Sequence, residues 1–203
     1  MKIGPSYRIP FRRRVESKTN YRQRLILLTS KKHRLVVRKS LKHITAQIID
    51  YNKNGDQTLV HVTTQELKKF GWLGSTNNLM SAYFVGLLIG KKALEKNIKS
   101  AILDIGLVRK SKGSRLFGVL KGALDAGLIV PHSAEILPSD DRIRGKHIID
   151  YAQKLKKEDL KKYKKQFSTF EPEKLSEIYD KVKSKIMEGS LDAKEKRRKK
   201  EET

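Results

Sequence analysis

Residues 11–24, FRRRVESKTNYRQR, set the first constraint on the fold. Arg12, Arg13, Arg14, Arg22 and Arg24 are interleaved with Phe11 and Tyr21, and Glu16 is the only acid among them. Taking an ion out of water without a partner costs several kcal/mol. So dense a run of one sign therefore has to stay at the surface or meet an anion.

The rest of the chain sharpens that choice. Residues 1–39 carry thirteen Lys/Arg against one acid, a net of +12 out of a formal +24 for all 203 residues. Residues 40–151 carry sixteen against ten, and residues 152–203 seventeen against eleven. In the C-terminal part the two signs alternate, as on a solvated helix face. At the N-terminus nothing offsets the positive charge, and blocks of like charge tend to be interaction tails. A poly-anion relieves the repulsion, so nucleic acid is the first expectation and an anionic membrane surface the second.

Several classes drop out. There is no cysteine, hence no disulfide scaffold, thiol nucleophile or cysteine-ligated zinc. No apolar segment follows the N-terminal charges as in a signal peptide. The longest apolar run, Phe84 to Gly90, is too short to span a bilayer. The expectation is a soluble, intracellular chain.

Periodicity suggests one α/β domain between two appendages. Residues 1–33 read as an extended arm with Pro5 and Pro10, and a short helix from Thr19 or Asn20 through Leu28. Arg34 to Arg38 is a strand candidate. Ile44, Ala46 and Ile48 alternate with polar neighbours, the two-residue repeat of a half-buried strand. Asn54-Gly55 predicts a tight type I′ hairpin turn into a return strand, Thr58 to Thr63. A helix follows, with N-cap oxygens from Ser75, Thr76 or Asn77 and a stripe through Met80, Tyr83, Phe84, Leu87, Leu88 and Leu94. Ala101 to Ile105 reads as a buried strand. Ser114 is placed to cap a second helix ended by Gly127. Leu128-Ile129-Val130 reads as a last strand. Ser139 or Asp140 begins a third helix. The order β-β-β-α-β-α-β-α implies a mixed sheet with helices on its faces. After Pro172, Leu175, Ile178, Val182 and Ile186 form one stripe that must lie on its own domain or a partner. Residues 190–203 lack an apolar anchor and read as a disordered basic tail.

Candidate chemistry is sparse. GLLIGK, residues 86–91, has a phosphate loop's glycines and lysine, but the first glycine is one residue too close, Lys92 stands where Ser or Thr should be, and the stretch lies within a helix. Two glycines that let helices pack closely account for it better. Asp104 lies in an apolar strand, where an unpaired carboxylate is costly. Together with Asp50, and Asp140 or Asp141 nearby, it suggests a metal-dependent RNA nuclease as the alternative function. The simpler account pairs Asp104 with a cation or with backbone donors. The five histidines show no metal-ligand spacing, and there is no GxSxG elbow. What remains is binding. Arginines grip phosphates, and Tyr7, Phe11 and Tyr21 suit stacking on unpaired RNA bases or stapling the arm to the core. Arg109, Lys110, Lys112, Ser114 and Arg115 form a cationic loop at a helix start. Arg142, Arg144, Lys146 and His147 form a second cationic group.

The motifs GPSYRIPFRRRVESKTNYRQR, RLVVRKS, LKKFGWLGSTNN, AYFVGLLIGKKAL, LDIGL, KGSRLFGVLKGALDAGL, VPHS and EILPSDDRIRGKHI resemble, in order and over roughly residues 3 to 155, the archaeal form of ribosomal large-subunit protein eighteen. That universal family binds 5S ribosomal RNA. The resemblance implies a three-layer α/β/α fold with a mixed five-stranded sheet of ribonuclease-H-like topology, flanked by the arm (1–33) and a helical C-terminal extension (158–203) around a domain at 34–157. It implies no catalysis, no cofactor and no metal. The partners it implies are 5S rRNA, 23S rRNA and neighbouring proteins of the central protuberance, without a membrane or homo-oligomer, and the place is the cytoplasmic ribosome. Carried over by motif, the arm contacts are Tyr7, Arg8, Phe11, Arg12, Arg13, Arg14, Lys18, Thr19, Tyr21, Arg22 and Arg24. The domain adds Arg34, Arg38, Lys112, Ser114, Arg115, Arg142 and Arg144. VESKTN departs from relatives with a basic residue and glycine before Lys-Thr, so Val15 and Ser17 are not carried over.

Overall fold

Three β-branched segments pair in sequence. In the computed structural model, which describes residues 4, 8–168 and 172–201 and side chains of the last helix through residue 189, they are β1 (Arg34–Lys39), β2 (Ile44–Asp50) and β3 (Gln57–Thr63). They form an antiparallel meander, and β4 (Ile102–Asp104) adds in parallel to β1, giving the order β3-β2-β1-β4. Strand alternation divides the sheet into two unlike faces. Leu35, Val37, Ile44, Ala46, Ile48, Val60 and Val62 are buried on one. On the other stand Arg34, Arg38 and Asp104, set diagonally by the registers Arg34↔Ile102 and Val36↔Asp104.

The apolar face is covered by α3 (Leu79–Glu95), with α4 (Arg115–Asp125) packed beside it. Their crossing depends on glycine. A Cβ on Gly86 would stand 2.1 Å from Val119 O, and one on Gly122 2.1 Å from Tyr83 O. The glycines of GLLIGK thus serve helix packing and make no phosphate loop. α3 begins at Asn78, whose side chain accepts from Ser81 N at 2.7 Å. Ser75, Thr76 and Asn77 precede that cap: Asn77 Nδ2 instead donates to the carbonyls of Ser40 and Leu41, and Thr76 Oγ1 to that of Lys42.

Three further expectations change. The expected fifth strand is a single parallel bridge, Ser100↔Ile129, so four strands form rather than five. Pro131 follows at once and removes a donor, and Ile129 faces outward at 66 % exposure. Asn54-Gly55 does not close a two-residue turn. Six residues separate Asp50 from Gln57, and Asn54 is not at positive φ. The register shift at Ile48/Ile49 and the use of Asp56 in ion pairs described below favour the wider loop. The third helix is split: α5 (Asp140–Ile143) stops at Gly145, whose φ is +80°, before α6 (Lys146–Glu158) begins.

The appendages are helical too. The arm holds α1 (Arg12–Val15) and α2 (Tyr21–Thr29), the latter capped by Asn20 Oδ1 accepting from Gln23 N. Neither helix buries a residue; α2 is the short helix expected from Asn20, whereas α1 stands where extended chain is expected. After α7 (Leu160–Gln166), α8 (Leu175–Glu201) lays Leu175, Tyr179, Val182 and Ile186 into the core. Tyr179 stacks on Tyr83 at 6.0 Å and contacts Phe84 at 5.0 Å. The C-terminal stripe therefore rests on its own domain, and the backbone stays helical through Gly189 into the basic segment. Tyr83 Oη donates to Asp125 at 2.9 Å. Burial first, then Tyr179 and Asp125, raises the Tyr83 phenol well beyond its ordinary value, and burial pushes Tyr179 up to about 12.

Candidate nucleic-acid interface

The polar face of the sheet carries an alternating ladder of charge. Arg24, from α2, holds Asp56 with Nη2 at 2.9 Å from both carboxylate oxygens. Arg34 Nη2 donates to Asp56 at 2.6 Å and its Nη1 to Asp104 at 3.3 Å. Arg38 Nη2 donates to Asp104 at 3.0 Å, and its Nη1 to the Asp104 and Val37 carbonyls. Gly106 N donates to the same carboxylate at 2.9 Å. Five side chains thus tie the arm to β1 and β4. Arg34 is 4 % exposed and Asp104 7 %, so these charges are structural: leaving either without its partner strands an ion in the interior.

This settles Asp104 as a paired carboxylate. Asp50 is elsewhere. It lies opposite His33 by register, two strands and three residues from Asp104 and on the other face, roughly 14 Å away by strand spacing. Its carboxylate accepts from Tyr51 N and lies 3.4 Å from His33 Nδ1. Lys121 and Lys146 lie 3.7 and 4.0 Å from Asp140 and Asp141. No group of three His, Cys, Asp or Glu among the described residues could hold a metal ion, and nothing here supports a nuclease.

Outside the ladder the arm's charge is largely free. Arg12 and Lys18 flank Glu16 at 3.3 and 2.8 Å, and Arg13 Nε donates to Thr19 Oγ1 at 2.9 Å. Arg8, Arg14 and Arg22 are exposed and have no partner among the described residues. Phe11 and Tyr21 touch, with centroids 5.1 Å apart, while Phe11 stays 70 % exposed. The pair bridges α1 and α2 and leaves a ring for stacking. Tyr7 lies outside the described residues. A small cavity of about 130 Å³ opens between arm and sheet, lined by Arg13, Thr19, Arg24, Arg34, Arg38 and Leu107 among others.

A second, larger cavity of about 450 Å³ lies at the start of α4. It brings together Arg109, Ser114, Arg115, Arg142 and His147, as the sequence suggested, and adds Lys39. Arg115 Nη1 donates to Asn77 O at 2.7 Å. His147 is pulled below the ordinary imidazole value, first by desolvation and then by Arg142, against a smaller opposing pull from Asp150. Four expected members, Lys110, Lys112, Arg144 and Lys146, are absent from its lining among the described residues. Lys112 pairs with Glu135 at 2.7 Å on the surface, and Arg144 lines a separate cavity with Asp125, Asp140 and Asp141. Sequence reasoning also missed Asp56, whose place beside Asn54-Gly55 disguised it as a turn residue, and Lys39, the last residue of a strand.

The family of ribosomal large-subunit proteins 60S L5 and 50S L18 matches residues 5–101 and 95–133. The chain belongs to this family. Membership makes it a large-subunit ribosomal protein with rRNA and ribosomal proteins as partners, and it accords with a structural rather than enzymatic role. The matched region spans the arm, the whole sheet, α3 and α4, hence both cavities' main walls. No described helix is long and apolar enough to cross a membrane.

Proposed function

We propose that this protein binds 5S rRNA and attaches it to 23S rRNA in the central protuberance of the large subunit, with neighbouring ribosomal proteins completing its surroundings. The observation that carries the reading is the arm of a ribosomal-family chain, in which Arg8, Arg14 and Arg22 are exposed and unpaired among the described residues and Phe11 of the same arm exposes its ring. Guanidinium groups grip phosphates, and an aromatic face takes an unstacked base, which folded RNA offers far more than duplex DNA. Arg12, Arg13, Lys18, Thr19 and Tyr21 complete the arm surface. Arg24, Arg34 and Arg38 act one step back, holding α2 against the sheet. On the domain, Ser114, Arg115 and Arg142 extend the surface, with Lys112 and Arg144 at its margins. The bridge at Ser100 and Ile129 favours a fifth strand and a ribonuclease-H-like order once the edge is covered. The units at 34–157 and 158–203, an archaeal origin and a cytoplasmic ribosomal location belong to the same reading.

The test is competition. Labelled 5S rRNA bound to the full chain is challenged with unlabelled 5S rRNA and with duplex DNA of equal length at fixed salt. The reading expects 5S rRNA to compete far better and hydroxyl-radical protection to map to discrete nucleotides. Equal competition by duplex DNA contradicts it.

A further inference from the structure

The two cavities share a wall. Arg38 and Leu107 line the small one under the arm, while the very next residues, Lys39 and Val108, line the large one. Consecutive Cα atoms lie about 3.8 Å apart, so the two cavities adjoin along β1 and along the loop after β4. Among the described residues no carboxylate lines that cavity, and Lys39, Arg109 and Arg142, all exposed, have no ion-pair partner. One lining residue carries an idle polar group: Ser114 occupies the N-cap of α4, yet its hydroxyl caps nothing and its Oγ is buried and unbonded among the described residues. The amides of Arg115 and Leu116, which also line the space, find no acceptor among the described residues. Arg115 itself is turned away onto Asn77 O.

An idle hydroxyl donor, two open amides and three unpaired cations around one opening match a single tetrahedral oxyanion. We propose that this cavity seats one backbone phosphate of the same RNA strand that the arm grips. The inference rests on the RNA-binding reading above and gives that surface a second, fixed anchor. Ser114 Oγ and the α4 amides face the non-bridging oxygens, and Arg109 and Arg142 neutralise them.

The test uses the full chain and 5S rRNA, with affinity measured over a range of salt for wild type, Arg109→Ala/Arg142→Ala, Ser114→Ala, and Arg8→Ala/Arg14→Ala/Arg22→Ala. One phosphate contact is worth about 0.7–0.9 in the log–log salt slope. The Arg109/Arg142 variant is expected to lose about that much. Ser114→Ala is expected to weaken binding about tenfold, as for a hydrogen bond to a charged group, with the slope unchanged. It removes one oxygen without altering backbone or charge, so it reports on the site even if the double variant folds poorly. A wild-type slope and affinity in both variants, while the arm variant loses its share, overturns the proposal and leaves the RNA-binding reading standing. A wild-type slope in the arm variant as well overturns that reading. Inorganic phosphate that shifts the Ser114, Arg115 and Leu116 amide resonances, combined with an unchanged RNA slope in Arg109→Ala/Arg142→Ala, makes the cavity a free-anion site and also overturns the proposal.

Discussion

Arg38 and Lys39 are neighbours on β1 with opposite employment. Alternation turns Arg38 onto the polar face of the sheet, where it holds Asp104 and closes the ladder running through Arg34 and Asp56 to Arg24. Lys39 points the other way and lines a cavity with no acid in its wall among the described residues. The ladder spends its cations on holding the arm in place. The cavity and the outer arm keep theirs for an external anion. Abundance of Lys and Arg in this chain therefore says little about which residues bind. The nearby carboxylates decide it.

The sharpest break in that comparison comes from Asp104→Asn. It takes away Arg38's carboxylate and one of the two that hold the buried Arg34, leaving Asp56 as the other, and the expected loss is about 3 kcal/mol of stability, read by chemical denaturation. A change under about 1 kcal/mol would mean that the ladder does not hold the fold. Asp56→Ala comes next. It strands one Arg34 nitrogen and frees Arg24, for an expected loss of about 1–3 kcal/mol. Limited trypsin digestion should also cut faster after Arg22 and Arg24. An unaltered cleavage rate would detach α2 from the ladder.

The smallest effect is on the cavity side. His147 has a folded pKa below its unfolded value, so its neutral form contributes stability above about pH 6.5 that fades as pH falls through the lower folded value. The denaturation midpoint of the free protein should therefore drop slightly from pH 7 to pH 5, more than it does in His147→Asn. Equal drops would assign the acid sensitivity to other groups.

Much of this was legible in residue order. The meander, α3, α4 and the C-terminal stripe follow from period and caps, because burial of Ile44, Ala46 and Ile48 or of Leu175, Val182 and Ile186 writes its spacing directly into the chain. The arm's second helix was visible in Asn20. What stayed hidden depends on pairing across the sequence. Arg34 and Arg38 look like the other arginines until β4 brings Asp104 beside them, 66 residues or more away. Asp56 looks like turn chemistry until Arg24 and Arg34 converge on it. The fifth strand failed because only one pair of residues, Ser100 and Ile129, comes into register before Pro131. Arg142 and Arg144 look like one group, but they stand two positions apart at the end of α5, a spacing that does not share a helix face, and line different cavities. For the same reason, deleting the first 24 residues is a poor test of RNA binding, since it also removes Arg24 from the ladder.

The most direct test sets stability against RNA binding in two variants, Arg8→Ala/Arg14→Ala/Arg22→Ala and Asp104→Asn. With three uncommitted arginines removed, denaturation should move by no more than about 0.5 kcal/mol, while the salt slope for 5S rRNA falls by about 2 to 3. Asp104→Asn should do the reverse, losing stability at an unchanged slope. An arm variant that keeps the wild-type slope, or one that loses its fold, would contradict the division between structural and RNA-facing charge.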